Sequence, residues 1–195
     1  MFVPSWLRRS VPLVAVTAAL AACSTGTDAV DQSGSSTRFV AGSGSEKVYP
    51  AGERAAVPDI SGKLLDGSSF RLSSARGDVV VLNFWASWCG PCRAEADDLQ
   101  RVHQATKASG VQFLGVNIKD TESRAKGFDH KFNITYPSLF DPSQRVALQL
   151  KAAPPNAVPA TIVLDREGRI AAVFRKGMLD SELQPVVEKI AAEQR

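Results

Sequence analysis

Residues Val79 to Ala86 read Val-Val-Val-Leu-Asn-Phe-Trp-Ala, apolar at every position but Asn83. A run without polar alternation is expected of a central strand covered on both faces, and such strands belong to sheets with helices packed on either side. Three residues beyond it stands Cys89-Gly90-Pro91-Cys92. From Pro91 to about Ser109, Leu99, Val102 and the alanines fall at helical spacing, with Arg93, Asp97, Asp98, Arg101 and Lys107 elsewhere. Pro91 suits a first turn, where its missing N–H costs nothing, and Gly110 is a natural stop. Val111 to Ile118 is a second buried strand, completing a right-handed parallel βαβ unit. Its turn from strand to helix holds two cysteines separated by Gly-Pro.

Cys89 would precede the helix, where unpaired backbone N–H groups and the helix dipole favour negative charge. Its thiolate should therefore form more readily than that of a free cysteine. Cys92, one turn on, should be more buried and act second. A permanent disulfide across two intervening residues would close a loop too small to restrict the unfolded chain much. The expected role is a dithiol that opens and closes, with the Cys89–Cys92 pair as the redox group and no other cofactor.

Around this unit, Asp66-Gly67 between Ile60/Leu64 and Phe70/Leu72 signals a β-hairpin. Ser73 to Arg76 reads as a turn or one helical turn, closed by Gly77. Thr121 to about Phe132 is expected as a polar helix, and Tyr136 to Pro142 as a short strand ended by a turn. Ser143 to Leu150 follows as a short helix with Val146, Leu148 and Leu150 partly buried. Lys151 to Pro159, with Pro154, Pro155 and Pro159, is a loop. Ala160–Asp165 and Arg169–Phe174 flank Arg166-Glu167-Gly168 as an antiparallel hairpin, and Ser181 to Arg195 places Leu183, Val186, Val187 and Ile190 at helical spacing. The expected class is α/β, with an N-terminal β-hairpin and a central αβα insertion, in one domain spanning residues 51–195.

The third cysteine, Cys23, calls for a separate account. Residues 1–22 hold Arg8-Arg9, a short apolar run from Val11 to Ala22, and Leu20-Ala21-Ala22 directly before Cys23. These are the parts of a secretory signal, and the run is well short of the roughly 20 apolar residues that span a bilayer. Leu-Ala-Ala-Cys resembles the lipobox of bacterial lipoproteins, which implies cleavage before Cys23, its lipidation, and an extracytoplasmic protein anchored to a bacterial membrane. Residues 24–45 contain 13 Ser, Thr and Gly in 22 positions, with Phe39 as their one aromatic, too little apolar surface to offset the cost of ordering. A flexible tether over residues 23–50 would reach about 30 Å. Without Arg8 and Arg9, 21 basic side chains face 20 acidic ones, a balance that gives no support for a nucleic-acid partner.

The order of elements, with the dithiol at the strand-to-helix turn and a proline-led hairpin near the end, resembles the thioredoxin fold. More narrowly, the stretch from Asn83 to Glu95 and the tetrapeptide Val158-Pro159-Ala160-Thr161 are similar to the TlpA/ResA group of membrane-attached thiol-disulfide oxidoreductases, over roughly residues 57–193. The resemblance implies a thioredoxin-like fold and protein dithiols or disulfides as substrates outside the cytoplasm, often the haem-attachment cysteines of apocytochrome c. It also implies a membrane thiol carrier as electron donor; a monomer is expected. Pro159 would be cis and opposite the dithiol, leaving the backbone of Val158 free to pair with an extended substrate. Trp88, Gly90 and Pro91 would border that surface, with Trp85 in the core. Thioredoxin keeps an acid on the strand where this chain has Asn83. Glu95, three residues after Cys92 on the same helical face, matches the acid that the ResA group places beside its dithiol, as a base for Cys92. A glutamate that merely favours the helix N-terminus is the other reading.

Gly-Pro is also the dipeptide of thioredoxin, which lies on the reducing side at about −270 mV. That favours a reductase over an oxidase forming disulfides in secreted proteins. A copper- or zinc-binding module is a rival because two thiolates can hold either metal. A closed zinc site needs two further ligands, however, and His103 and His130, one on a helix and one in a loop, are expected as solvated surface residues. Cys92 is followed by Arg93, not by the histidine of c-type haem attachment. A peroxidase would place a solitary cysteine in a Thr-x-x-Cys setting, which this chain lacks.

Overall fold

The computed structural model describes residues 46–193; the expectations for residues 1–22 and for Cys23 fall outside that range. In chain order the strands and helices are β1 (Glu46–Val48), β2 (Ser61–Lys63), β3 (Ser69–Arg71), β4 (Val79–Trp85), α1 (Gly90–Thr106), β5 (Val111–Ile118), α2 (Glu122–Lys131), β6 (Ser138–Asp141), α3 (Arg145–Gln149), β7 (Ala160–Leu164), β8 (Ile170–Phe174) and α4 (Asp180–Ala191). Six strands form one sheet in the order β1-β8-β7-β4-β5-β6, and β2 with β3 forms the separate hairpin. β4 is parallel to β5 and β5 to β6, whereas β7 is antiparallel to β4 and to β8.

The apolar run behaves as its pattern demands, because every residue of β4 is buried. Val79 and Val81 pack with Leu99 and Val102 of α1 and with Leu183, Val187 and Ile190 of α4. Val80, Leu82 and Phe84 point the other way and pack with Ala125 and Phe128 of α2 and Val146 and Ala147 of α3. Each such side chain contributes about 1.5–3 kcal/mol on full burial. Helices therefore cover both faces, and the period-two register assigns Asn83 to the same side as Val81, towards α1.

The hairpin turns at Gly67, whose φ of 88° suits glycine. It then shields the edge strand: Leu64 bridges to Leu139, and the Leu65 N–H donates to the Ser138 carbonyl at 2.9 Å. The αβα insertion is present as α2, β6 and α3, and β6 extends the parallel part of the sheet.

Four local expectations need correction. Leu148 is 69% exposed, not partly buried, because α3 is barely more than one turn and directs Val146, Ala147 and Leu150 at the sheet. The ring of His103 is half-buried, edge-on to Phe113 and Tyr136 at 5.5 Å each; burial, aided by Lys107, holds its pKa below the ordinary value. His130 is exposed as expected but lies in the last turn of α2, not in a loop. Finally, Glu46–Val48 pairs antiparallel with β8, so the sheet begins inside the segment expected to be tether.

The β7–β8 turn is built round Asp165, which is 3% exposed. Its carboxylate accepts from the Glu167 N–H at 3.1 Å, from the Arg169 N–H and Nε at 2.9 Å each, and from Arg54 Nη1 at 3.3 Å. Arg54 also donates to both oxygens of Glu193, at 2.5 and 2.7 Å, which ties the segment after β1 to the residues following α4. Burial raises the Asp165 pKa, but hydrogen bonds from Arg169 and Arg54 outweigh it and hold the carboxyl below its ordinary value. Asp165→Asn should therefore lower the unfolding free energy near neutral pH by about 2–4 kcal/mol. Because the folded pKa is depressed, this deficit should shrink as pH falls through it and the wild-type carboxylate is itself protonated. Urea unfolding of both proteins across the acid range measures it.

Candidate active site

β4 ends at Trp85, and the chain turns through Ala86, Ser87 and Trp88 into α1. The β5–α2 connection holds this turn. Asp120 accepts from the Ser87 N–H at 2.7 Å and from Ser87 Oγ at 2.9 Å, and Asn117 Nδ2 donates to the same carboxylate at 3.2 Å. Burial pushes the Asp120 pKa up, but the hydrogen bonds from Ser87, Asn117 and Thr121 overcome that and keep it below the ordinary value. Trp88 Nε1 donates to the Lys119 carbonyl at 2.9 Å while the indole remains 51% exposed. The turn is thus fixed from beneath and leaves an aromatic face to solvent.

Cys89 is the N-cap of α1, and its sulfur accepts from the Cys92 N–H at 3.2 Å. The two cysteines form a disulfide, with S–S 2.08 Å and Cα–Cα 5.3 Å. Both are nearly covered, Cys89 at 4% and Cys92 at 2% exposure, so the expected difference in burial is small in this oxidised form. Gly90 and Pro91 are exposed between them. The Val158–Pro159 peptide bond is cis. In the β4–β7 register Phe84 pairs with Ala160, which sets Pro159 at the end of β4 from which the dithiol turn departs. The Val158 side chain is buried.

Glu95 does not decorate an exposed first turn. It is 3% exposed, and its two oxygens accept from Asn83 Nδ2 and from the Met178 N–H, at 2.9 Å each. Asn83 Nδ2 also reaches Thr161 Oγ1 of β7 at 3.2 Å. Asn83, at the place of thioredoxin's strand acid, is thus the donor that fastens an acid supplied by α1. Desolvation raises the Glu95 pKa to about 7, against the hydrogen bonds from Met178 and Asn83, with Asp98 adding repulsion. Gly177 in the β8–α4 connection is close enough that a Cβ there would lie 3.8 Å from the Pro91 carbonyl and 3.9 Å from Glu95 Oε2, so this loop packs on the first turns of α1. Sequence reasoning missed Asp120, Asn117, Thr161 and Met178. Asn83, as the lone polar residue of β4, was the one visible signal of a buried polar bridge. Among the described residues no group of three or more His, Cys, Asp and Glu is arranged to hold a metal ion.

A redox-active disulfide at a helix N-terminus, with a cis-proline at the same end of a mixed sheet, defines a thioredoxin-fold thiol-disulfide oxidoreductase. The chain belongs to the AhpC/TSA family, whose model matches residues 54–173. It is 30% identical over 152 residues to the thiol-disulfide oxidoreductase ResA of Oceanobacillus iheyensis, covering 76% of this chain and 77% of that protein. Among solved structures it is similar to a secreted thiol-disulfide isomerase from Corynebacterium glutamicum, with a TM-score of 0.73 at 36% identity, covering 76% of this chain and 92% of that one. A DsbF homologue from Corynebacterium diphtheriae gives a TM-score of 0.71 at 39% identity, covering 80% and 99%.

The raised Glu95 pKa has a stability consequence. Between the ordinary carboxyl pKa and about 7 the native state holds a proton that the unfolded chain has lost, so this group lowers stability as pH rises across that window. In urea unfolding of the oxidised protein, Glu95→Gln should gain on wild type by up to about 3 kcal/mol from pH 4.5 to 7 and level off above. A pH-independent difference would show that Glu95 titrates normally.

Proposed function

We propose that this chain is a reductase of protein disulfides outside the cytoplasm, with Cys89 as nucleophile, Cys92 as resolving thiol and the Cys89–Cys92 pair as its redox group. The observation that carries the reductive direction is a Gly-Pro dithiol backed by the buried carboxyl of Glu95 and the half-buried one of Asp129, with no cationic side chain lining the cavity beside Cys92. A strongly oxidising dithiol is one whose reduced form is stabilised. Negative charge behind the sulfurs opposes thiolate formation, so here the reduced form gains less and electrons are given up more readily. The helix N-terminus still favours Cys89 as the thiolate that attacks first.

In the reductive cycle Cys89 attacks a substrate disulfide to form a mixed disulfide, and Cys92 then attacks Cys89 and releases the reduced substrate. Trp88, Gly90 and Pro91 form the exposed rim for an extended peptide, with Val158 and Pro159 as its opposite wall. Glu95, beneath the first turns of α1, tunes the ionisation of both thiols. Cys23 carries the lipid anchor, and a membrane thiol carrier re-reduces the dithiol. The haem-attachment cysteines of apocytochrome c are the proposed substrates, as the likeness to ResA suggests. The isomerase named among the similar structures favours a second reading, formation or reshuffling of disulfides in secreted proteins.

Cys92→Ser in the native cell should accumulate mixed disulfides on Cys89 that Cys89→Ser does not. Trapped apocytochromes support the reductive reading, and a broad set of secreted proteins would replace it with the second. Growth on a fatty-acid analogue should label the wild-type protein and leave Cys23→Ala unlabelled and released from the membrane; a label retained by Cys23→Ala would refute anchoring there.

A further inference from the structure

Beside Cys92 lies a narrow cavity whose walls include Asn83 and Trp85 of β4, Cys92 of α1, Phe128 and Asp129 of α2, and Tyr136. Glu95 does not line it, and both of its oxygens are already engaged by Asn83 and Met178. Asp129 differs in each respect. It faces the cavity shared with Cys92, its Oδ1 is covered and accepts no hydrogen bond, and it makes no ion pair among the described residues. A covered carboxylate oxygen without a donor is costly, and its persistence asks for a reason beyond packing.

On the thiol-disulfide reading above, we propose that Asp129 is the group that takes the proton from Cys92 when the dithiol closes, while Glu95 serves as the fixed bridge between β4, α1 and the β8–α4 loop. Cys89 thiolate attacks one sulfur of a protein disulfide, that S–S bond breaks, and the departing thiolate takes a proton from solvent. Cys92 then passes its thiol proton to the Asp129 carboxylate, and its sulfur attacks Cys89 Sγ. The mixed disulfide breaks, and the proton leaves Asp129 for the second departing thiolate. The substrate gains two electrons and the dithiol loses two. Burial alone raises the Asp129 pKa to about 7, which makes it a competent acceptor near neutrality. The titratable groups facing it are Cys92 from α1 and Tyr136 before β6, with Glu95 behind Asn83. Tyr136 stays neutral, since burial, with Glu95 and Asp129, pushes its pKa far upwards. On α2 itself Lys126 pairs with Glu122 and His130 is exposed.

Reaction of the reduced protein with 5,5′-dithiobis(2-nitrobenzoate) separates the two steps: Cys89 releases the first thionitrobenzoate and Cys92 displaces the second. Asp129→Asn should leave the first release within about two-fold of wild type and slow the second by at least about ten-fold at pH 7. The inflection near 7 in the pH profile of the second step should vanish, and Asp129→Glu should restore part of it. A second release with unchanged rate and profile in Asp129→Asn, or an inflection lost in Glu95→Gln alone, overturns the proposal. A wild-type protein whose thiols displace no thionitrobenzoate would instead overturn the thiol-disulfide reading. Should Asp129→Asn not fold, carbon-13 titration of the wild-type Asp129 carboxyl decides: its pKa should move between the oxidised and reduced protein, and one that is the same in both states overturns the proposal.

Discussion

The buried carboxyl of Glu95 has to be satisfied inside the protein, and the two donors that do so come from opposite directions. Asn83 reaches it from the middle of β4, and the Met178 N–H from the loop that follows β8. Through Asn83 the same bridge touches Thr161 on β7, so one polar contact binds the central pair of strands, the dithiol helix and the approach to α4. Leaving any member unpaired would strand a polar group in the core, which is far more costly than the net gain of forming the bond. The start of α1 is therefore held at a set depth and rotation against the sheet, and the sulfurs with it.

A second anchor acts from the front. Asp120 holds the backbone and side chain of Ser87, and the Lys119 carbonyl holds the indole of Trp88. The dithiol sits between these two fixed points, in a segment whose own backbone is only a turn and the first residues of a helix. Precision at the sulfurs comes from neighbouring elements that are distant in sequence, as a site that must form and break a disulfide requires.

Electrostatics divide along the same line. Outside the disulfide the N-terminus of α1 offers unpaired N–H groups that favour a thiolate. Inside lie the buried carboxyl of Glu95 and the half-buried one of Asp129, whose pKa values desolvation raises to about 7. One sulfur thus meets a surface that accepts negative charge, and the other an interior that resists it but can hold a proton. In the proposed cycle that asymmetry assigns the two cysteines different tasks, although their exposures in the oxidised form are almost equal.

Much of this was legible from the order of residues. The unbroken apolar run of β4 required cover on both faces, Pro91 and Gly110 bracketed α1, and Asp66-Gly67 marked the hairpin, because strand burial, helix ends and turn chemistry are local consequences of sequence. Cys89 and Cys92 were equally plain, since their spacing alone brings the sulfurs within bonding reach. Where the partners are remote, local pattern was silent or ambiguous. Glu95 could be read as a solvated helix residue until the fold buried it against Asn83 and Met178, Leu148 reads as apolar but α3 is too short to turn it inward, and nothing around Asp129 in the chain distinguishes it from a surface acid. Contacts a few residues apart were enough to specify the dithiol, the strand that carries it and the helix that follows. Which acids lie behind the sulfurs depended on the folded chain, because desolvation follows from what packs around a group in space and not from its neighbours along the chain.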